Sequence, residues 1–236
     1  MPEHSSSANS ANILLSHMSA EDFSLLIPHL QAVELPLRMH LEWARRPVEY
    51  VYFLERGIAS VVTRSTGGSN IEVGLVGREG CTGFPVILGT DQSPNDTFVQ
   101  LAGSGQRISA QNLSRALNAS STLLQLLLRH VHVFGIQVGS TALANGRGRI
   151  EERLARWLLM SQDRANSDTM AMTHEFLSVM LGVRRPGVTD ALGSLSQLGL
   201  IRAARGKVTI VDRDGLKAMC RDIYGAAEAE HLRLFR

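Results

Sequence analysis

The sequence of 236 residues predicts an α+β chain. An N-terminal antiparallel β domain (a sandwich, roll or barrel) comes first, then a long helix, then a C-terminal winged helix-turn-helix. Three observations predict this. Short β-type runs separated by glycine turns fill residues 32–109. An apolar stripe of helical period spans residues 121–145. Between Thr173 and Val211 an apolar helix, a glycine turn, a second helix and a basic hairpin follow one another.

Residues 1–12, with Ser5-Ser6-Ser7-Ala8-Asn9-Ser10, read as a disordered tail. Ser19 suits a helix cap with Glu21 and Asp22 in the first turn, and Phe23, Leu26, Ile27 and Leu30 give that helix an apolar face. Pro28 shortens or kinks it. Strands are expected at 33–35, 50–54, 58–63, 71–76, 97–101 and 106–109. Turn signals separate them at Arg56-Gly57, Gly67-Gly68-Ser69-Asn70, Gly77-Arg78-Glu79-Gly80 and Gly103-Ser104-Gly105. Many short, evenly spaced strands favour an antiparallel sandwich, roll or barrel. This β domain is placed at 13–120; the resemblance described below makes it a β-roll.

In the long helix, Leu124, Leu128, Val131, Gly135, Val138 and Ala142 repeat at four-then-three spacing, and Leu127, Phe134 and Thr141 widen the stripe. Such a stripe suits pairing with a twin helix in a homodimer, or packing on the chain's own β domain, or both, one per face. Residues 121–145 are read as a dimerisation helix. Asn145-Gly146-Arg147-Gly148 breaks the pattern and marks a hinge, so residues 146–236 form the second domain. A helix at 149–164 turns Ile150, Leu154, Trp157, Leu158 and Ser161 inward. A polar loop at 163–168 leads to Thr173. A last helix is expected at 214–223, and the tail beyond Tyr224 reads as helical in part and peripheral.

Within the motif, Phe176, Leu177 and Met180 form one buried face. Gly182 supplies the tight inter-helix turn. Val188, Ala191, Leu192 and Leu195 bury the second helix, while Arg184, Arg185, Thr189, Asp190 and Ser194 lie on its other side; Pro186 fits the first turn. Residues 200–202 and 208–211 flank the basic tip Arg205-Gly206-Lys207. A helix fits the major groove, its first turn reaches base edges, and a basic loop grips phosphates. The competing interpretation is a buried helical hairpin in an ordinary α+β domain.

Charge agrees with this layout. Residues 1–145 carry net −2 and residues 146–236 net +4, so the basic half holds the motif. No apolar run reaches the roughly 20 residues of a membrane span, and no secretory signal opens the chain, so the cytoplasm is the expected location. Cys81 and Cys220 are far apart and outside any CxxC. They read as small buried thiols, with reversible oxidation of Cys81 as the alternative; no structural disulfide, zinc site or four-cysteine iron–sulfur cluster is expected. No GxSxG, Walker loop or nucleophile–base pair is present, so an enzyme is not expected. GLVGREG at 74–80 lacks a lysine and reads as turn chemistry.

This order of parts resembles the Crp/Fnr family of bacterial transcription regulators. The resemblance covers residues 13–216. It is strongest in VYFLERGIASVV at 51–62, IEVGLVGREGCTG at 71–83, and RIEERLARWLLM followed by LGVRRPGVTDALGSLSQLGLI. It implies a cyclic-nucleotide-binding-like jelly roll and a homodimer on a pseudo-palindromic DNA operator, with half-sites about one helical turn apart. RNA polymerase is the further partner it implies. By the same resemblance Arg185 reads a guanine, Thr173 and its first turn contact phosphates, and Arg184 serves either role. Pro186 and Asp190 replace an acidic residue and a second base-reading arginine of the best-known pattern, so the target sequence is expected to differ.

The sensor half departs further. Cyclic-nucleotide-binding members use a glycine–glutamate pair for the ribose and an arginine–serine pair for the phosphate. Here Phe84 stands where the glutamate would be, and Asn95 and Asp96 stand near the arginine and serine. No Lys or Arg occurs between Arg78 and Arg107, so a buried phosphate would lack a cation. The family's amino-terminal cysteine cluster is absent. His130 and His132, two apart on a helix, point away from each other and, with His17, His29 and His40, make no ligand motif. No cofactor or metal is expected, with a haem held by one of the eight histidines as the alternative.

The expected function is that of a homodimeric, sequence-specific DNA-binding regulator with Arg185–Gln197 in the major groove. The DNA-facing set is Thr173, Arg184, Arg185, Thr189, Asp190, Arg205 and Lys207. A small non-nucleotide effector entering near Gly83, Phe84, Asn95, Asp96 and Thr97 would bias the hinge at Gly146. Alternatively, the roll serves only as a dimerisation scaffold. A winged protein–protein module without DNA binding is the alternative of a different class.

Overall fold

The computed structural model describes residues 10–64, 70–165 and 167–235. The expected tail at 1–9 and the turn at Gly67-Gly68-Ser69 lie outside them. Asn12, expected in that tail, is instead fully buried. Its side-chain amide donates to the carbonyls of Leu54 (2.6 Å) and Gly80 (2.8 Å), and its Oδ1 accepts from Leu15 N (2.9 Å). It thereby caps α1 (Ile13–Ser16) and fixes that helix to the roll. Serine-rich composition upstream concealed this cap. In α2 (Ala20–Leu26), Ser19 caps the first turn, and Pro28 sits in a single 3-10 turn, Ile27–His29, that ends it.

Among the described residues the roll has seven strands: β1 (Gln31–Leu35), β2 (His40–Glu42), β3 (Tyr50–Leu54), β4 (Ile58–Arg64), β5 (Asn70–Val76), β6 (Asp96–Leu101) and β7 (Gly103–Ser109). They form two antiparallel sheets, ordered β1-β7-β3 and β2-β6-β4-β5. Strand β2 escapes the sequence pattern because it has three residues and a register shift between His40 and Glu42. Leu35, Tyr52, Leu54, Val61, Val76 and Val99 fill the space between the sheets.

Two helices leave the roll, α4 (Ala110–Ala119) and α5 (Ser121–Arg147). Helix α5 continues through Asn145 and Gly146, and the break comes at Gly148, whose N–H still reaches Ala144 O at 2.8 Å. The glycine in Asn145-Gly146 costs helix propensity but does not end a helix with this much buried surface. Polar side chains fasten its inner face. Gln137 accepts from Leu75 N (2.6 Å) and donates to Leu75 O (3.1 Å). His130, buried, lies with Nε2 3.0 Å from Cys81 O.

The C-terminal half comprises α6 (Ile150–Ala165), β8 (Thr169–Ala171), α7 (His174–Leu181), α8 (Arg185–Gln197), β9 (Ile201–Ala204), β10 (Lys207–Ile210), α9 (Arg213–Cys220) and α10 (Ala226–Leu234). Strand β10 lies between β8 and β9, antiparallel to both. One apolar cluster joins the two halves: Ile58, Val62 and Leu75 of the roll meet Leu154, Leu158 and Met180. A polar chain crosses the same contact. Trp157 Nε1–H donates to Glu72 Oε1 (2.7 Å), and Ser60 Oγ–H donates to Glu72 Oε2 (2.6 Å).

The tail beyond Tyr224 is not peripheral. Helix α10 lies along α5, Ala227 and Phe235 are buried in the roll's outer core, and His132 Nε2 meets Glu230 Oε1 at 3.0 Å. Alternating Ala, Glu, His and Arg gave that segment too little apolar period to reveal its buried side.

Candidate nucleic-acid interface

Local chemistry shapes the two helices of the motif. Thr173 Oγ1 accepts from Phe176 N (3.1 Å), satisfying one of the free amides at the start of α7. Gly182 closes that helix in the left-handed region, at φ +59°, with its N–H turned back to Ser178 and Val179 carbonyls. A side chain there would also meet Ile71 Cδ1 at 2.9 Å, so glycine serves both the turn and the docking of the motif on β5. Arg184 is the residue before α8, and Pro186 occupies its first turn, where a missing N–H costs nothing. Val188, Ala191, Leu192 and Leu195 are buried, as their spacing requires.

The opposite face is open. Thr173, Arg184, Arg185, Thr189, Asp190, Arg205 and Lys207 are all exposed. Arg202 on β9 is exposed as well and adds a cation to the wing. Among the described residues, Arg184, Arg185, Arg202, Arg205 and Lys207 form no ion pair. Their charge is therefore uncommitted within the chain. Thr189 is less free: His174 Nδ1 lies 2.9 Å from its Oγ1, which also donates to Arg185 O (3.2 Å). His174, missed from sequence, thus ties α7 to the first turns of α8. Its position directly after the cap was the available signal. The wing is anchored by β8, through Met172 N to Gly206 O (2.9 Å) and Thr169 Oγ1 to Thr209 Oγ1 (2.9 Å). Arg185, Thr189 and Arg205 border a cleft of about 1210 Å³ whose other wall carries Arg38, His40 and Arg64 of the roll.

The five expected sensor residues do not share one pocket, and only Gly83 and Thr97 meet a common partner. Gly83, at φ +77°, precedes α3 (Phe84–Ile87), and a Cβ on it would lie 2.3 Å from Val51 Cγ2. Its N–H donates to Glu42 Oε1 (2.7 Å). Thr97 contributes its hydroxyl to the same carboxylate, as does Thr82. Burial pushes the Glu42 carboxyl above the usual range, and these three hydrogen bonds oppose the rise. Phe84 turns toward α5 and stacks on Phe134, with ring centroids 4.2 Å apart. Asp96 accepts from Ala44 N (3.1 Å) and pairs with Arg64 Nε (2.5 Å). Asn95 lies on the loop before β6, its N–H donating to Ser93 Oγ (3.1 Å). Gly83 and Thr97 are thus brought together, around a carboxylate that the chain itself supplies. No signal in the sequence distinguished Glu42 from an exposed strand residue.

Both cysteines are buried and unpaired, and burial pushes the Cys81 thiol upward, which suppresses its reactive thiolate form. Among the described residues no helix is long and apolar enough to cross a membrane, and no group of three or more His, Cys, Asp or Glu could hold a metal ion.

Residues 152–219 match the Crp-like helix-turn-helix domain. No curated protein matches the sequence. Several solved structures share the fold over most of the chain. A protein assigned to the Crp/Fnr family from Eubacterium rectale is 16% identical, with a TM-score of 0.70 over 89% of this chain and 98% of that one. FixK2 from Bradyrhizobium japonicum is 18% identical, with a TM-score of 0.69 over 80% and 96%. A transcriptional regulator of the CRP/FNR family from Thermus thermophilus, TTHA1359, is 20% identical, with a TM-score of 0.67 over 82% and 100%. The chain carries a Crp-like helix-turn-helix domain and has the fold of the Crp/Fnr transcriptional regulators.

Proposed function

We propose that the chain is a sequence-specific DNA-binding transcriptional regulator that acts as a homodimer. The observation that carries this reading is the uncommitted basic face of the motif. Arg184 and Arg185 open α8, Arg205 and Lys207 tip the wing, and among the described residues none of the four has an ionic partner. Arg185 reaches base edges from the first turn of α8, and Arg205 and Lys207 hold phosphates beside it. Thr173 and Arg184 add backbone contacts. Thr189 and Asp190 face the groove on the next turn and modulate which base is accepted. In this reading residues 13–120 form the roll, 121–145 the dimerisation helix and 146–236 the DNA-binding domain.

Helix α5 supports the dimer. Leu123, Leu127, His130, Val133 and Gln137 are buried within the chain. None of Leu124, Leu128, Val131, Gly135, Val138 and Ala142 is, and Leu128 and Leu143 are exposed. Leu124 and Val131 pack in part against the chain's own core, and the remainder of the stripe on a 27-residue helix suits a second copy. The twin places one α8 in each of two half-sites. A bound dimer would then recruit or block RNA polymerase.

Arg185→Ala tests the assignment. It is expected to weaken binding to a selected duplex by about 1–3 kcal/mol with the fold unchanged. Wild-type affinity in that variant would refute the role given to α8. Selection of bound sequences from random duplex DNA supplies the operator and reads its symmetry.

A further inference from the structure

Beneath α10 the structure holds a cavity of about 340 Å³, within the roughly 300–1000 Å³ of small-molecule sites. Its walls come from the turn after β5, the middle of α5, the end of α6 and the C-terminal tail. One side is apolar, with Val133 and Phe134 from α5 and Leu232 from α10. The other is polar, and its charges already cancel. Arg164 Nε lies 2.7 Å from Glu79 Oε1, and Arg213 Nη2 lies 2.7 Å from Asp163 Oδ1. Arg78 and Glu228, one charge of each sign, line it as well, so the walls carry no net charge to attract an ion.

One polar atom remains unmet. Arg164 Nε, on a side chain 8% exposed, already has Glu79 beside it. His231 Nε2 is buried and has no partner among the described residues. Burial also holds the His231 imidazole below its usual titration range, against the attraction of Glu79. Unmet buried polar atoms are costly, and a molecule that supplies their partners recovers that cost.

We propose that this cavity binds a small, net-uncharged amphipathic molecule. Its apolar face lies on Val133 and Phe134, and its hydroxyl, amide or carbonyl edge meets His231 and Arg164. The site is separate from the Glu42 cluster inside the roll. Its walls belong to the roll and α5 on one side, and to α6, which leads into the motif, on the other. A molecule that fits only the arrangement seen here stabilises it and shifts the population available to DNA. That last step rests on the DNA-binding reading; the site does not.

The full-length protein is titrated with phenol and with indole, following the histidine ring signals by NMR, with benzoate as the charged comparison. Saturable shifts of the His231 ring with phenol or indole, weaker or absent with benzoate, are expected. Val133→Trp, which fills the cavity, abolishes them. His231→Leu, at a half-buried position, removes that reporter; the weaker binding expected of it is read on the ring of His130, which also lines the cavity, and it carries the test if Val133→Trp does not fold. No saturable shift with either neutral probe overturns the site. Shifts that persist in the filled variant overturn its location, and preferential binding of benzoate overturns the ligand class. Duplex affinity is then measured with and without the bound probe, with a change of about fivefold or more expected. Probe binding with unchanged duplex affinity removes the coupling. Absence of any duplex binding removes the functional reading and leaves the site standing.

Discussion

The winged half of the chain leaves its critical charges in solvent, whereas the roll and its contacts bury theirs. Arg184, Arg185, Arg205 and Lys207 are exposed and, among the described residues, unpaired. Glu42, Glu72, Asp96 and His130 are buried, and each is held by neighbours within the chain. An exposed charge is available to a partner and contributes little to stability. A buried one contributes heavily through what it would leave unmet if removed. The two halves should therefore respond oppositely to substitution: the roll in stability, the wing in binding.

The largest effect expected is at Glu42. Glu42→Leu strips the partner from Gly83 N–H and from the Thr82 and Thr97 hydroxyls, all in the interior. It should destabilise the chain by about 3–5 kcal/mol in urea unfolding, with duplex affinity of the folded fraction unchanged. A loss below about 1 kcal/mol would mean that water reaches this cluster, and the contrast between halves would weaken.

Glu72 comes next, and its effect depends on pH. Burial raises its carboxyl from the ordinary 4.5 to about 7, against hydrogen bonds from Ser60 and Trp157 and the attraction of Arg156 and Arg164. The folded chain thus keeps a proton that the unfolded chain releases near 4.5. This favourable contribution is complete below pH 4.5 and is lost as pH rises to about 7. The total is about 3 kcal/mol. Glu72→Gln keeps a carbonyl for Trp157 and has no proton to lose. Its stability should lack that slope and exceed wild type above pH 7. Because Trp157 belongs to α6 and Glu72 to β5, the same pH range should loosen the docking of the two halves. Parallel pH profiles for wild type and variant would remove Glu72 from that contact.

The same division explains what could be read from sequence. The motif was legible to within a residue or two, because Phe176, Leu177, Gly182, Val188 and Leu195 obey local rules of period and turn. Its exposed set was legible too, since whatever the period does not bury faces out. Most roll strands were found because glycine turns bound them. Strand β2, the Asn12 cap and the buried side of α10 were not, because each depends on partners 40 or more residues away: Asn12 on Leu54, β2 on β6, and Glu230 on His132. Glu42 and Glu72 illustrate the limit. A single acid in a strand looks the same whether it faces water or fills a cluster, and only its tertiary neighbours decide.

On the wing side the effects should appear in binding alone. Arg185→Ala takes its share from base reading, so its loss should depend strongly on duplex sequence. Lys207→Ala is the smallest effect and sharpens the contrast most. Lys207 begins β10, pairs with Ala204 and Ala171 through the backbone, and is exposed. Alanine keeps that backbone pairing and removes the phosphate contact proposed for this side chain. Affinity should fall by a similar factor on selected and unselected duplexes, and the slope of log affinity against log salt should decrease by about one. Melting temperature should not move, since the side chain is exposed and touches no buried group. If the loss were confined to the selected sequence, Lys207 would be reading bases, and the division between a reading helix and a phosphate-holding wing would have to be redrawn.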